Sequence, residues 1–172
     1  MHPCLVIRHG AAEEISGSGQ DGARQLSSAG RDEVVEMARG LAHIGPRPGL
    51  ILSSPLERAR ETAEILASAF GGCAVERHDQ LSGGASPASI LEALAERCTQ
   101  PGTRFAIVGH EPDLGRFISY ALAASARGFH APRKASVCLL EFPMRPRAGN
   151  ATLEWAMEPQ HLAAIGRAGV QQ

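Results

Sequence analysis

A chain of 172 residues, 44% of them hydrophobic and 20% charged, has the length and composition of one ordinary globular domain. Its formal net charge of −1 excludes the strongly basic surface that would draw it to nucleic acid or an anionic membrane. No apolar run approaches the roughly 18 residues of a spanning helix. Charged Arg8 also ends the first apolar run before a signal-peptide core forms, so the expected location is the cytoplasm.

The first element is a buried strand over residues 4–7, closed by Arg8-His9-Gly10. Residues 11–26 are polar and Gly-rich and read as a loop. A helix follows over 29–42, with Val34, Val35, Met37, Ala38 and Leu41 at helical spacing. Residues 49–53 give a second strand. Ser54-Pro55-Leu56-Glu57 then has the pattern of a capping box, with serine at the N-cap, proline at N1 and glutamate at N3. That box would start a helix running to residue 70 and put Arg58 in its first turn. A short edge strand is expected at 75–78, a loop at 82–87 and a helix at 88–97. The strongest internal strand covers 105–108 and is closed by Gly109-His110; Pro112 opens a helix to 123. Two late strands, 136–142 and 152–157, form a hairpin. Short apolar runs alternating with amphipathic ones define an α/β protein of one domain, residues 1–172 with its core over about 4–162. Cys4, Cys73, Cys98 and Cys138 share no metal or redox spacing and read as small apolar residues.

Arg8 and His9 follow the first strand, Arg58 the second and His110 the 105–108 strand. In open α/β sheets, ligands bind beyond the carboxyl ends of the strands, so these four distant residues are candidates for one pocket. Two arginines facing one site fit an oxyanion, because a guanidinium matches phosphate geometry. Their charge disfavours protonation of nearby imidazoles and leaves a neutral, nucleophilic ring. Such a ring can attack phosphorus and form a covalent phosphoenzyme. A second imidazole, when protonated, would stabilise the charge that builds on the phosphoryl oxygens.

These residues carry a family resemblance. Arg8-His9-Gly10, Leu26-Ser27-x-x-Gly30, Ser53-Ser54-Pro55-x-x-Arg58-Ala59-x-x-Thr62-Ala63 and Val108-Gly109-His110 occur in the order found in the histidine phosphatase superfamily, the phosphoglycerate-mutase-like enzymes. The resemblance implies a three-layer α/β/α sandwich with a mostly parallel central sheet, and no metal or organic cofactor. It makes His9 the nucleophile, Arg8 and Arg58 the phosphate clamp, and His110 the second pocket histidine. Within the superfamily the chain resembles the short SixA-type phosphohistidine phosphatases. The features are Gly109-His110-x-Pro112-Asp113-Leu114, Lys134-Ala-Ser-Val, Leu81-Ser-Gly-Gly and Trp155-x-x-x-Pro159-x-x-Leu162. That likeness implies a phosphorylated protein, a histidine phosphotransfer domain, as substrate. The alternatives are a small phosphomonoester (a sugar or nucleotide phosphate) and a non-catalytic phosphate- or phosphoprotein-binding module. A compact chain of this kind is expected to be a monomer.

The resemblance thins after the third strand. Many members place there a glutamate that protonates an alcohol leaving group; the matching stretch here, Asp79-Gln80-Leu81-Ser82-Gly83-Gly84, has none. An imidazole leaves more readily than an alkoxide and needs less general-acid help, which favours an N–P substrate. Asp79, Glu13 and Glu111 remain candidate proton donors, with no spacing to choose among them. Arg24 is a candidate substrate contact, against an equal expectation of a plain surface role. Arg60 points about 200° from Arg58 around the helix and reads as solvated. His2, His43, His78, His130 and His161 read as surface or loop residues, Trp155 as the edge of the core, and Lys134 as exposed or flanking the pocket.

Overall fold

The computed structural model describes residues 1–169. A six-stranded sheet has the order β3-β2-β4-β1-β5-β6. Its strands are β1 (His2–Arg8), β2 (Leu50–Ser53), β3 (Ala74–Arg77), β4 (Phe105–Gly109), β5 (Val137–Phe142) and β6 (Thr152–Met157). The first four strands run parallel and β5 pairs antiparallel with both β1 and β6. Helices α1 (Ser28–Ile44), α2 (Glu57–Ala69) and α5 (Pro159–Gly169) contribute to the core on one face. Helices α3 (Pro87–Arg97) and α4 (Asp113–Ala123) contribute to the core on the other. The three-layer α/β/α arrangement implied by the resemblance is the one observed.

Burial follows sheet position. Cys4, Leu5, Val6 and Ile7 in β1, and Phe105 to Val108 in β4, are covered on both faces by helices. A parallel strand buried on both faces needs such a continuous apolar run. At the edge, β3 is exposed throughout and carries Glu76 and Arg77, charges that discourage pairing with another chain. Helix α1 is capped by Ser27, whose Oγ accepts from Gly30 N at 3.1 Å, and α3 by Ser86, whose Oγ accepts from Ser89 N at 3.1 Å.

Three sequence expectations need correction. Ser54 does not cap α2: the helix begins at Glu57 with Leu56 as N-cap and no side-chain cap bond. The Ser54 hydroxyl accepts from Leu56 N at 3.2 Å and also bonds His110 at 2.7 Å, but it reaches no N–H of the helix itself, and Glu57 pairs with Arg60 instead of reaching back, so the box never closes. Arg58 still falls in the first helical turn. His2 is buried at 7% exposure, because β1 extends past residue 4 to pair His2 with Phe142 in β5. Its Nδ1 lies 3.2 Å from Cys98 Sγ. The last helix, α5, has no counterpart among the elements expected from sequence. Its buried face is Leu162, Ala163 and Gly166, too poor in large apolar side chains for a clear period. It forms because Gly40 lets α1 meet it backbone to backbone: a Cβ there would lie 1.7 Å from the Leu162 carbonyl oxygen.

Gly30 serves the site in the same way. A Cβ on it would sit 2.0 Å from the carbonyl oxygen of Ala11, in the turn just after His9. Gly30→Ala is therefore expected to destabilise by about 2 kcal/mol, the steric penalty outweighing alanine's helix propensity. In a chain of this size that is roughly 4–8 °C in thermal midpoint, which calorimetry would read.

Candidate active site

Strand register brings the candidates together. Arg8 pairs with Gly109 across β1 and β4, and Ser53 with Val108 across β2 and β4. Past the strand ends the ladder continues by one rung on each side, His9 N donating to Gly109 O at 3.2 Å and Ser54 N to Val108 O at 2.9 Å. His9 and His110 thus emerge side by side, with ring centroids 4.8 Å apart and planes tilted by 53°. Arg58 enters from the first turn of α2. Arg8, His9, Arg58 and His110 meet at the carboxyl edge of the sheet, while Arg60 turns outward to pair with Glu57 and Glu64.

Both imidazoles are held neutral. Burial lowers the His9 pKa to about 3 against the opposing pull of the Gly10 carbonyl bond, and proximity to His110, Arg58 and Arg8 adds to the lowering. Burial also lowers that of His110 to about 4, with Arg58 and Arg8 adding to the effect. His9 Nδ1 lies 2.7 Å from the carbonyl oxygen of Gly10. A carbonyl only accepts, so Nδ1 carries the proton and Nε2 keeps its lone pair. His110 Nε2 shares a hydrogen bond of 2.7 Å with Ser54 Oγ, which fixes that ring.

The guanidinium groups are anchored through some nitrogens and unpartnered at others. Arg8 Nη1 donates to Pro132 O at 2.9 Å. Arg58 donates from Nη1 to the backbone oxygen of Asp21 at 2.9 Å and from Nη2 to Asp21 Oδ2 at 3.1 Å. The Nε of each is buried with no hydrogen-bond partner among the described residues. Two buried, unpartnered N–H donors beside neutral imidazoles fit a tetrahedral oxyanion that would satisfy them.

The supporting contacts come from residues to which the sequence assigned no role, although Thr62 and Asp113 lie within the motifs that carry the resemblance. Thr62 Oγ1 donates to Arg58 O at 2.7 Å and accepts from Gly10 N at 3.2 Å, joining the turn after His9 to the helix that carries Arg58. Its position four residues after Arg58 was the available signal, because a threonine hydroxyl commonly bonds back to that carbonyl. Glu61, buried, accepts from Leu26 N at 2.6 Å and pairs with Arg31 at 2.5 Å, fixing the end of the 11–26 segment. Asp113 Oδ2 accepts from Gly84 N at 2.6 Å and holds the loop after β3. Nothing in the local pattern pointed to Asp21.

The remaining candidates are distributed as follows. Arg24 is held by Asp21 at 2.5 Å and by the Glu13 carbonyl at 3.2 Å. Asp79 is 78% exposed and paired with Arg77, and Glu13 is exposed. Glu111, half-buried, accepts from Gly115 N at 2.8 Å, and burial raises its pKa. Lys134 is exposed and lines a cleft of about 380 Å³ with Arg8, Arg133 and Glu158. A larger cleft of about 590 Å³ around Arg47 and Arg104 lies at the opposite, amino-terminal ends of β2 and β4, with none of the site residues in its walls. Among the described residues no group of three or more His, Cys, Asp or Glu side chains could hold a metal, and no helix is long and apolar enough to cross a membrane.

Fold and site together define a class: an α/β protein whose sheet edge can hold an oxyanion against a neutral imidazole. Comparison with known proteins gives the family. Residues 4–83 match the model of the histidine phosphatase superfamily (branch 1). An uncharacterized protein of Picosynechococcus sp. is 38% identical over 128 residues, 72% of this chain and 74% of that protein. The protein histidine phosphatase SixA, solved with tungstate, superposes with a TM-score of 0.81 at 20% identity, over 93% of this chain and 99% of that one. Phosphoserine phosphatase of Entamoeba histolytica, solved with phosphoserine, gives 0.68 at 18%, over 94% and 100%. Mycobacterial glucosyl-3-phosphoglycerate phosphatase gives 0.64 at 20%, over 88% and 96%. At such identities the solved structures establish the shared fold. The chain belongs to the histidine phosphatase superfamily and is a phosphatase by that membership.

Proposed function

We propose that this phosphatase removes phosphate from phosphohistidine on a phosphotransfer protein, through a phosphohistidine formed on His9. The observation that carries the mechanism is the His9 ring itself: Nδ1 is tied to Gly10 O, and burial keeps the ring neutral. Nε2 is then the nucleophile, and Arg8 and Arg58 clamp the phosphoryl oxygens. In the first step Nε2 bonds to phosphorus as the substrate's N–P bond breaks; the bonding pair stays on the departing imidazole nitrogen, which takes a proton from solvent water. In the second, water attacks phosphorus, inorganic phosphate leaves and His9 returns to its neutral form. A bound phosphoryl dianion raises the pKa of His110, so that this ring can carry a proton and stabilise the transferring group.

The substrate class rests on the stretch after β3. It contains no glutamate, and its one carboxylate, Asp79, lies in solvent on Arg77. A leaving alkoxide needs a proton donor; an imidazole needs one far less. The likeness to SixA in fold supports the same reading. The competing reading, a small-molecule phosphomonoesterase, draws on the phosphoserine and phosphoglycerate phosphatases with the same fold.

Steady-state kinetics separates the two. On a phosphorylated histidine phosphotransfer domain, kcat/KM is expected to exceed that on phosphoserine and sugar phosphates by about 10² or more, since esters lack the acid they need. Equal or faster ester hydrolysis would reassign the substrate to a small phosphomonoester.

A further inference from the structure

The segment between β1 and α1 contributes more to the site than a connection. Its single helical turn, Asp21–Ala23, lies over the start of α2, and a Cβ on Gly22 would be 3.3 Å from Leu56 Cδ2. The segment is tied down at its ends by the Ala12–Leu26 bridge, by Glu13 N on Gln25 O at 2.9 Å, and by Glu61 on Leu26 N. The location of Asp21 is therefore fixed by the scaffold, although its side chain is 66% exposed.

From that location Asp21 takes up both terminal nitrogens of Arg58, one through its backbone oxygen and one through its carboxylate. Arg24 grips the same carboxylate from the far side, its Nε 2.8 Å and Nη2 2.5 Å from Oδ1. A guanidinium can turn any of its edges to a phosphate. Asp21 thus occupies the terminal edge of Arg58, one N–H from each of Nη1 and Nη2, and leaves the side edges; of the three nitrogens, Nε is the one buried without a partner among the described residues. Arg58 influences both His9 and His110 electrostatically, and Asp21 influences His110, so all of these groups share one neighbourhood.

We propose that Asp21 is a positioning residue of the phosphate clamp: with Arg24 behind it, it holds Arg58 so that the Nε edge is the one presented to the phosphoryl group. The inference rests on the reading of Arg58 as part of that clamp. It also gives Arg24 a role at one remove from the phosphate. The opposite role is distinguishable, because a carboxylate that competes with substrate for Arg58 would weaken anion binding, whereas one that orients Arg58 strengthens it.

The test uses the full chain, with p-nitrophenyl phosphate for kinetics and tungstate for calorimetric titration. Asp21→Ala is expected to raise KM and weaken tungstate binding by about tenfold each, the scale of one charge-assisted hydrogen bond, with kcat within about threefold of wild type. Asp21→Asn keeps an acceptor oxygen and is expected to recover most of the loss. Arg24→Ala should shift KM in the same direction by less, and the double variant should be no worse than Asp21→Ala, because both act through one contact. Tungstate affinity that responds to Arg58→Ala but not to Asp21→Ala, or that tightens in Asp21→Ala, overturns the inference alone. Affinity insensitive to Arg58→Ala overturns the clamp reading and this inference with it. An unchanged melting temperature in Asp21→Ala guards against a folding defect.

Discussion

His9→Ala is expected to lower turnover of every phosphorylated substrate by on the order of 10⁴–10⁶, the scale seen when a covalent nucleophile is removed. Geometry and protonation both single out this ring. Nε2 of His9 carries the lone pair because Nδ1 is bonded to a carbonyl, and burial with the neighbouring arginines keeps the ring from being protonated. His110 Nε2, the nearby alternative at the sheet edge, is engaged by Ser54. Folding should survive, because His9 lies at the strand end and outside both apolar clusters. The companion measurement is mass spectrometry of wild type after brief exposure to a phosphorylated phosphotransfer domain, quenched at alkaline pH. An acid-labile phosphoryl group on the peptide containing His9 is the expected result. A variant that keeps turnover near wild type would sink the covalent mechanism.

His110→Ala is expected to reduce kcat by on the order of 10²–10³, the effect of removing one preorganised donor to a developing oxyanion. It should also change how stability depends on pH. The His110 pKa is about 4 in the folded chain, against about 6.5 for an unperturbed histidine. Between those values the unfolded chain binds a proton that the folded chain refuses, so stability falls as pH falls through that window. His9, depressed to about 3, acts in the same direction. Each group contributes a slope of up to about 1.4 kcal/mol per pH unit inside its window. Denaturant unfolding of His110→Ala between pH 7 and 4 should therefore lose less stability on acidification than wild type. Parallel pH profiles for the two proteins would mean that His110 is not held neutral.

The four groups at the sheet edge are legible in the amino-acid sequence because their addresses are local. A buried parallel strand is a short apolar run, and the residue that ends it is read directly: Arg8-His9 after Ile7, His110 after Gly109. Arg58 falls in a first helical turn even though the capping box assigned to Ser54 does not form. The sequence-based start of that helix lies too early because Glu57 pairs with Arg60 instead of closing the box, while Ser54 bonds Leu56 N ahead of the helix and His110, 56 residues away. The missed α5 has the same origin: its face is small-residued, and the reason it is a helix lies on α1 at Gly40.

The chain's own sequence thus determined the α/β class, the order of the six strands and first four helices, and the two histidines and two arginines that gather at the sheet edge. Each of these depends on short-range periodicity or on residue chemistry. Only the tertiary structure decided the tautomer of His9, the grip of Asp21 on Arg58 across 37 positions, and the Thr62 bond to Gly10 across 52. Those contacts depend on where loop backbone comes to rest against a packed scaffold, which is set by the summed burial of two apolar layers and by no local pattern.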